Sequence, residues 1–203
     1  MTIQISVAIN ILSAVKAFAA TKDVRTYLNG VSISIRSGDT RLTATTGALV
    51  TVYRLTTIDH VINHDSVTIP DMDIIIPIDL LKHVKGFGHA VIIIGEGETR
   101  VKPITVLCNG VSVSGHTIDA VFPDIARVIP KTVSGEAAQF DPALIKVLDT
   151  ASKSLHPKSK NAVFSIGHNG LGGALVNMGN DNMACVIMPW RIIAASTKRP
   201  EWV

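Results

Sequence analysis

The stretch NGVSIS at residues 29–34 alternates apolar Val31 and Ile33 with polar Ser32 and Ser34, and it returns almost unchanged as NGVSVS at residues 109–114. Strict alternation predicts a β-strand with one buried and one solvated face. The Asn-Gly pair that opens each copy is a turn signal. The near-copy indicates that the chain is built from repeated units.

Outward from these strands, three similar units can be followed along the chain. Each is predicted to open with a short extended run, pass through one amphipathic helix, and continue as strands separated by Gly, Asn and Asp turns. The boundaries fall near residues 65 and 131. This order predicts an α+β fold made of three βαβββ motifs.

The predicted helices are recognised by their caps and apolar stripes. Asn10 is the predicted N-cap of the first helix, which should end near Thr21. Pro77 should open the second helix and Gly86 should stop it. In the third unit Asp141 precedes Pro142, and an apolar stripe follows at helical spacing. The members of that stripe are Leu144, Leu148, Ala151 and Leu155.

The strand predictions come from apolar or alternating runs between turn residues. They are Ile3–Ala8, Val31–Arg36, Arg41–Thr45, Leu49–Leu55, Ser66–Pro70, Ile74–Ile76, Ala90–Ile94, Val106–Val113, Ala126–Ile129, Ala162–Ile166, Ala174–Met178 and Ala184–Met188.

Composition narrows the class of protein. With 203 residues of which 47% are hydrophobic, the chain can bury a core and should be folded throughout. No apolar run approaches the roughly 20 residues that a membrane-spanning helix needs. Cys108 and Cys185 lie in apolar runs of a chain with no export signal, which favours buried thiols over a disulfide and a cytoplasmic location.

The net charge is +3, which is compatible with a polyanionic partner without requiring one. Each predicted helix carries cations away from its apolar stripe. If the helices lie side by side, these cations form a basic wall that could face DNA phosphates, to which contacts are independent of sequence. An ordinary solvated helix face is the alternative interpretation. The candidate DNA-facing residues are Lys16, Lys22, Arg25, Lys82, Lys85, Lys146 and Lys153.

Three segments resemble the bacterial DNA polymerase III beta subunit, the beta sliding clamp. KDVRTYLNGV at residues 22–31 is similar to "DVRYYLNG" in the middle domain of that family. DAVFPDIARVIPK at residues 119–131 resembles "DGRFPDYRRVLPK", which closes the same domain. CVIMPWR at residues 185–191 is similar to the "VVMPMR" ending of the last domain. The three segments occur in the family's order.

The resemblance implies a shortened clamp. Residues 1–131 would form one complete clamp domain of two motifs, about 1–65 and 66–131, and residues 132–192 would form half of another. Residues 193–203 form a C-terminal tail. Family rings contain twelve motifs with helices inside and sheets outside, so three motifs per chain imply a homotetrameric ring with isologous contacts.

The resemblance also implies a pocket for short linear peptides of a polymerase or a clamp loader. The matching positions are Thr45, Gly47, Val50, Pro130, Val186, Met188, Pro189 and Arg191. Here Thr46-Gly47-Ala48-Leu49 stands where the family has Asp-Gly-His-Arg, and Trp190 replaces a methionine, so the choice of partner is open. The alternative is that Val50, Val186 and Met188 are plain core residues.

No catalytic, cofactor or metal site is predicted. His60 and His64 have a metal-ligand spacing, but no HExxH pattern accompanies them. Gly170, Gly172 and Gly173 fall between strands and are typical of a turn. The sequence thus predicts a non-enzymatic clamp that encircles duplex DNA. The second hypothesis is a clamp-derived module that binds peptides without encircling DNA.

Overall fold

The structure is a computed structural model that describes residues 2–37, 39–56, 61–63, 70–97 and 100–190. In chain order its helices and strands are β1 (Ile3–Ala8), α1 (Ile9–Lys16), β2 (Gly30–Arg36), β3 (Asp39–Thr45), β4 (Leu49–Arg54), β5 (Val61–Asn63), β6 (Met72–Pro77), β7 (His89–Ile94), β8 (Pro103–Cys108), β9 (Val111–His116), α2 (Pro142–Leu155), β10 (Ser165–Gly167), β11 (Ala174–Asn177) and β12 (Met183–Ile187). Three short 3₁₀ helices cover Thr26–Leu28, Ile78–Leu81 and Ile125–Arg127.

Two antiparallel sheets form one layer of the molecule. The first has the strand order β5-β1-β7-β8-β9, and the second has the order β10-β11-β12-β4-β3-β2-β6. The first two units exchange strands, because β1 pairs with β7 and β6 pairs with β2. The third unit joins the first through β12 and β4.

The helices form the second layer. Helix α1 packs against strands of both sheets and against α2. Its Leu12 and Val15 are fully buried, as are Phe18 just beyond it and Leu148 of α2. The core is one continuous hydrophobic cluster that includes residues of all three units. An α+β architecture of sheets covered by helices confirms the predicted fold class.

The β4–β12 pairing closes the second sheet between units that are distant in sequence. Its register runs from Leu49 opposite Ile187 to Tyr53 opposite Met183. On the core side, the Thr51 Oγ1 and Cys185 Sγ atoms are 3.1 Å apart in a hydrogen bond. Burial raises the pKa of the Cys185 thiol to about 12. The junction is therefore closely packed and dry.

The prediction for the first helix was wrong at both ends. Helix α1 begins at Ile9 directly after β1, so Ala8 and not Asn10 is its N-cap, and no side chain caps it. It ends at Lys16 rather than near Thr21. The amide of Ile9 donates instead to the carbonyl of Gly88. A long-range backbone contact thus replaces the local cap.

The second predicted helix is only the 3₁₀ helix Ile78–Leu81, with Pro77 as its N-cap. The backbone then turns through Gly86 and Gly88, whose φ angles are +97° and +94°. The carbonyls of Leu81 and Val84 accept hydrogen bonds from Lys16. Because another side chain satisfies these carbonyls, the segment does not need to continue as an α-helix.

The third helix was predicted correctly. It spans Pro142–Leu155, and Asp141 Oδ1 accepts a hydrogen bond of 2.8 Å from the amide of Ala143. Leu148, Ala151 and Leu155 of the predicted stripe are buried. No strand precedes this helix between residues 132 and 141, so the third unit lacks the expected opening strand.

Three strand predictions needed correction. Of the predicted strand Ala162–Ile166, only Ser165 and Ile166 lie in a strand, because β10 spans Ser165–Gly167. Val106–Val113 is the meeting of two strands, β8 and β9, joined by Asn109 and Gly110 with φ angles of +49° and +79°. Ala126–Ile129 is not a strand, because Asp124 accepts a hydrogen bond from the amide of Ala126 and starts a 3₁₀ helix. Most of the predicted strand Ser66–Pro70 lies outside the described residues.

Candidate peptide pocket and basic residues

A cavity of about 190 Å³ opens at the β4–β12 junction. Its floor is apolar, with Val50 on β4 and Val186 on β12 facing each other across the two strands. Leu28 and Met188 add to this floor, and Leu28 is buried. The remaining lining residues are Arg25, Tyr27, Thr45, Gly47, Ala48, Leu49, Pro123, Asp124, Ile125 and Val128.

The structure brings together five of the eight predicted pocket residues, namely Thr45, Gly47, Val50, Val186 and Met188. Pro130 and Pro189 do not line the cavity. Pro189 is buried and Pro130 is half-buried. Arg191 lies outside the described residues.

Several lining residues were missed by the sequence prediction. Arg25, Tyr27 and Leu28 belong to the first segment of the resemblance, and Pro123 to Val128 belong to the second. In the sequence, these two segments indicate a family and do not indicate a site. Only the structure shows that the two segments meet in one cavity.

The turn before β4 is held by its own hydroxyl groups. Thr45 Oγ1 donates to the carbonyl of Leu49 at 2.6 Å and accepts from the amide of Gly47 at 2.9 Å. The amide of Met188 donates to the carbonyl of Ala48 at 2.8 Å, so the chain after β12 is bonded to the same turn. Gly47 has a φ of +92°, a conformation that residues with a Cβ rarely adopt. One side of the cavity is therefore rigid.

Arg25 lies at the rim of the cavity. Its guanidinium donates to both carboxylate oxygens of Asp23 at 3.0 Å. These bonds hold the pKa of the Asp23 carboxyl at about 2. A Cβ added to Gly47 would lie 3.2 Å from the guanidinium nitrogens of Arg25. Arg25, predicted to face DNA, is thus placed where it can also contact a pocket ligand.

The chemistry of the cavity suits apolar side chains with a polar backbone. Val50 and Val186 are already buried, with exposures of 5% and 1%, so they are core residues that also form the floor. Met188 is half-buried and Val128 is 48% exposed, so these two can still bury apolar surface, at about 25 cal/mol per Å² removed from water. Arg25 and Asp124 at the cavity offer a donor and an acceptor. An extended peptide carrying leucine or phenylalanine fits this description.

Lys16 is not part of a free basic wall. Its ammonium donates to the carbonyls of Leu81 at 3.1 Å and Val84 at 2.6 Å. Burial lowers its pKa, and the nearby charge of Lys85 adds to that effect. Lys16 therefore ties α1 to the segment that follows the 3₁₀ helix.

The other candidate cations are exposed but differ in their partners. Lys82 is 2.6 Å from Asp79, and Lys153 is 2.7 Å from Asp149. Lys22, Lys85 and Lys146 form no ion pair with the described residues. Helix α2 presents Lys146, Thr150 and Lys153 along its exposed side. Surface pairs of this kind contribute little stability, about 0–1 kcal/mol, so Lys82 and Lys153 can exchange partners readily.

Within the described ranges there is no group of three or more His, Cys, Asp and Glu residues that could hold a metal ion. His60 and His64 lie outside these ranges. No helix among the described residues is both long enough and apolar enough to span a bilayer.

The fold is similar to that of solved sliding clamps. A DNA polymerase sliding clamp from Pseudomonas aeruginosa superposes with a TM-score of 0.62 at 16% identity, covering 94% of this chain and 67% of that chain. The same clamp solved with a ligand gives a TM-score of 0.59 at 17% identity, with the same coverage. The DNA polymerase III beta subunit of Thermotoga maritima gives 0.60 at 14% identity, covering 94% of this chain and 66% of that chain.

No protein-family model matches the chain, and no curated protein matches it significantly. The chain spans about two thirds of the length of the similar structures. Together with the two-layer architecture, the superposition shows that this protein has the fold of the bacterial DNA polymerase III beta sliding clamps in a shortened form.

Proposed function

We propose that this protein is a sliding clamp, a non-enzymatic ring that encircles duplex DNA and tethers a polymerase or repair protein to it. The observation that carries the proposal is the superposition of 94% of the chain on bacterial clamps at TM-scores near 0.6. A protein with this role needs to act where DNA is, which favours the cytoplasm of a bacterial cell. It needs no cofactor.

The ring follows from the number of repeated units. We interpret residues 1–131 as a complete clamp domain of two units and residues 132–192 as half of another. Four chains would supply twelve units, the number that closes a ring in the clamp family. Closure also removes exposed strand edges, which otherwise invite aggregation.

Contact with DNA is assigned to exposed lysines on the helix layer. Lys146 and Lys153 on α2, together with Lys82, Lys85 and Lys22, are exposed cations that could contact phosphates without reading sequence. Lys16 serves the fold instead, through its bonds to two backbone carbonyls. We therefore expect fewer DNA contacts per chain than the count of candidate cations suggests.

Topology is the property that tests encirclement. We expect the protein to remain on nicked circular DNA in high salt and to leave the same DNA after linearisation, because a ring slides off a free end. Salt-sensitive binding that is equal on both forms would contradict encirclement. Light scattering should give the mass of four chains, and a monomer mass would exclude the ring.

The pocket at the β4–β12 junction is the proposed docking site for partner peptides. Met188→Ala removes part of its floor. Met188 is already half-buried, so we expect a loss of about 1 kcal/mol, or roughly fivefold weaker binding of leucine- and phenylalanine-containing peptides. Met72→Ala is the matched control, because Met72 is also half-buried but lies on β6 away from this pocket. Equal affinity of both variants would refute the pocket.

A second function is supported by the partners of the cations. Of the seven candidate DNA-facing residues, Lys16 is tied to carbonyls, and Arg25, Lys82 and Lys153 are paired with aspartates. The alternative is a clamp-derived module that binds partner peptides without encircling DNA. It predicts peptide binding without topological retention on circular DNA.

A further inference from the structure

Among the described strands, β9 lies at the edge of the first sheet and pairs on one side only, with β8. The two-residue turn of Asn109 and Gly110, with both φ angles positive, makes Cys108 and Val111 a hydrogen-bonded pair. The amide of Thr117 donates to the carbonyl of Lys102, which continues this alternation. It follows that the outward backbone groups are those of Ser112, Ser114 and His116.

These outward groups find no backbone partner among the residues that the structure describes. The edges of the second sheet are different. The amide of Ile118 donates to the carbonyl of Ile75, alongside β6. A Cβ on Gly167, at the end of β10, would lie 3.3 Å from the side chain of Val133. Strand β9 thus offers a six-residue edge that no other described strand covers.

The residues of β9 are typical of a strand that a partner covers: its apolar side chains are partly exposed, and no residue protects the edge. Val111 is 48% exposed, and Val113 is half-buried on the face that β9 shares with the core residue Val106. Leu80 lies under the end of β9, with a side-chain carbon 3.0 Å from where a Cβ of Gly115 would be. The strand contains no Lys, Glu, Asp or Pro, the residues that usually protect an exposed edge.

The chain itself contains an example of how such an edge is used. Strands β4 and β12 end the antiparallel series β2-β3-β4 and β10-β11-β12, and they pair with each other through five residues each. Strand β9 ends the corresponding series β7-β8-β9 of the second unit. Two of these three equivalent edges are therefore joined inside one chain, and the third has no partner in the part of the chain that the structure describes.

We propose that β9 pairs antiparallel with β9 of a second copy of this chain, with Val113 facing its own counterpart on the two-fold axis. In this register Ser112 of one copy exchanges backbone hydrogen bonds with Ser114 of the other. Val111 of one copy lies opposite Gly115 of the other and packs against Leu80 beneath that Gly115. The inference rests on the proposed ring, for which it names one of the junctions.

A cysteine at the two-fold axis tests the pairing. Opposed residues of a non-hydrogen-bonded antiparallel pair have Cα atoms about 4.5 Å apart, within the roughly 4.4–6.8 Å that a disulfide spans. Val113→Cys should therefore give a covalent dimer under mild oxidation. Native Cys108 and Cys185 are buried and should not interfere. Leu107→Cys, on the neighbouring strand and partly exposed, is the control that should stay uncrosslinked.

Proline at position 114 tests the edge without cysteine chemistry. The amide of Ser114 points away from β8, so Ser114→Pro removes no backbone hydrogen bond within the chain, and proline is tolerated on edge strands. The variant does lose the 2.8 Å hydrogen bond between the hydroxyl groups of Ser114 and Thr105, a loss that Ser114→Ala shares. We expect the assembly mass to fall by at least half while the far-UV circular dichroism of the chain is unchanged. Ser114→Ala should assemble normally. Full-sized assemblies of the proline variant would overturn the proposal, as would failure of Val113→Cys to cross-link.

The β9 pairing and the clamp function can be tested separately. Cross-linking through Val113→Cys without retention on circular DNA would preserve the β9 pairing and remove the clamp function. Retention on circular DNA without cross-linking would preserve the clamp and place its junction elsewhere.

Discussion

Leu148→Ala should destabilise the whole chain and not only the third unit. Leu148 is fully buried in the continuous core between α2 and the sheets. Truncation of a buried leucine removes transfer energy and leaves a cavity, which together cost about 3 kcal/mol. With a denaturant slope of about 2 kcal/mol per M, the urea midpoint should fall by roughly 1.5 M.

Two probes separate global from local unfolding. Both tryptophans, Trp190 and Trp202, lie after α2, so their fluorescence reports the C-terminal part of the chain, whereas far-UV circular dichroism reports all of it. Because the β4–β12 pairing makes one sheet from two units, we expect both transitions to shift together. Lys146 is exposed on the same helix, so Lys146→Ala is the control. It should change the free energy of unfolding from either probe by less than about 0.5 kcal/mol. A shift confined to the fluorescence transition would refute a shared core.

Three further predictions concern the pocket and the junction. Gly47→Ala should lower the free energy of unfolding by about 1–2 kcal/mol because of its positive φ, and it should weaken peptide binding because the new Cβ contacts Arg25. Gly88→Ala is the control, because Gly88 has a similar φ but no atom within 4 Å of the added Cβ. It should lower the melting temperature without weakening peptide binding. Because Arg25 lowers the pKa of Asp23 from 3.8 to about 2, their pairing should be complete above pH 3.8 and lost as the pH falls through 2; a carboxyl NMR titration midpoint near 3.8 would contradict this. Cys185, with its pKa raised to about 12, should resist a thiol reagent at pH 8 until urea unfolds the chain, and rapid labelling of the native protein would contradict a dry junction.

Much of the local structure could be predicted from the sequence, because its causes are local. The alternation in residues 31–36 predicts β2, and Asp141 with Pro142 predicts the start of α2. These signals depend on neighbours a few residues apart. The resemblance of three short segments indicated the clamp fold, which the superposition confirms.

The incorrect helix predictions are explained by contacts between residues that are distant in sequence. Helix α1 starts at Ile9 because the carbonyl of Gly88 accepts its amide hydrogen bond, which no cap motif indicates. The second predicted helix stays a single 3₁₀ turn, and Lys16 donates to the carbonyl of its last residue, Leu81, and to that of Val84 beyond it. Each of these contacts joins residues more than 60 positions apart.

The sequence by itself determined most of the strands and where the last helix begins, because periodicity and caps act over a few residues. Only the tertiary structure decided which strand edges meet. The pairing of β4 with β12 builds the pocket from Val50 and Val186, whereas β9 pairs on one side only among the strands that the structure describes. The physical reason is that a strand edge presents the same backbone groups to any partner, so its choice depends on the packing of the whole chain.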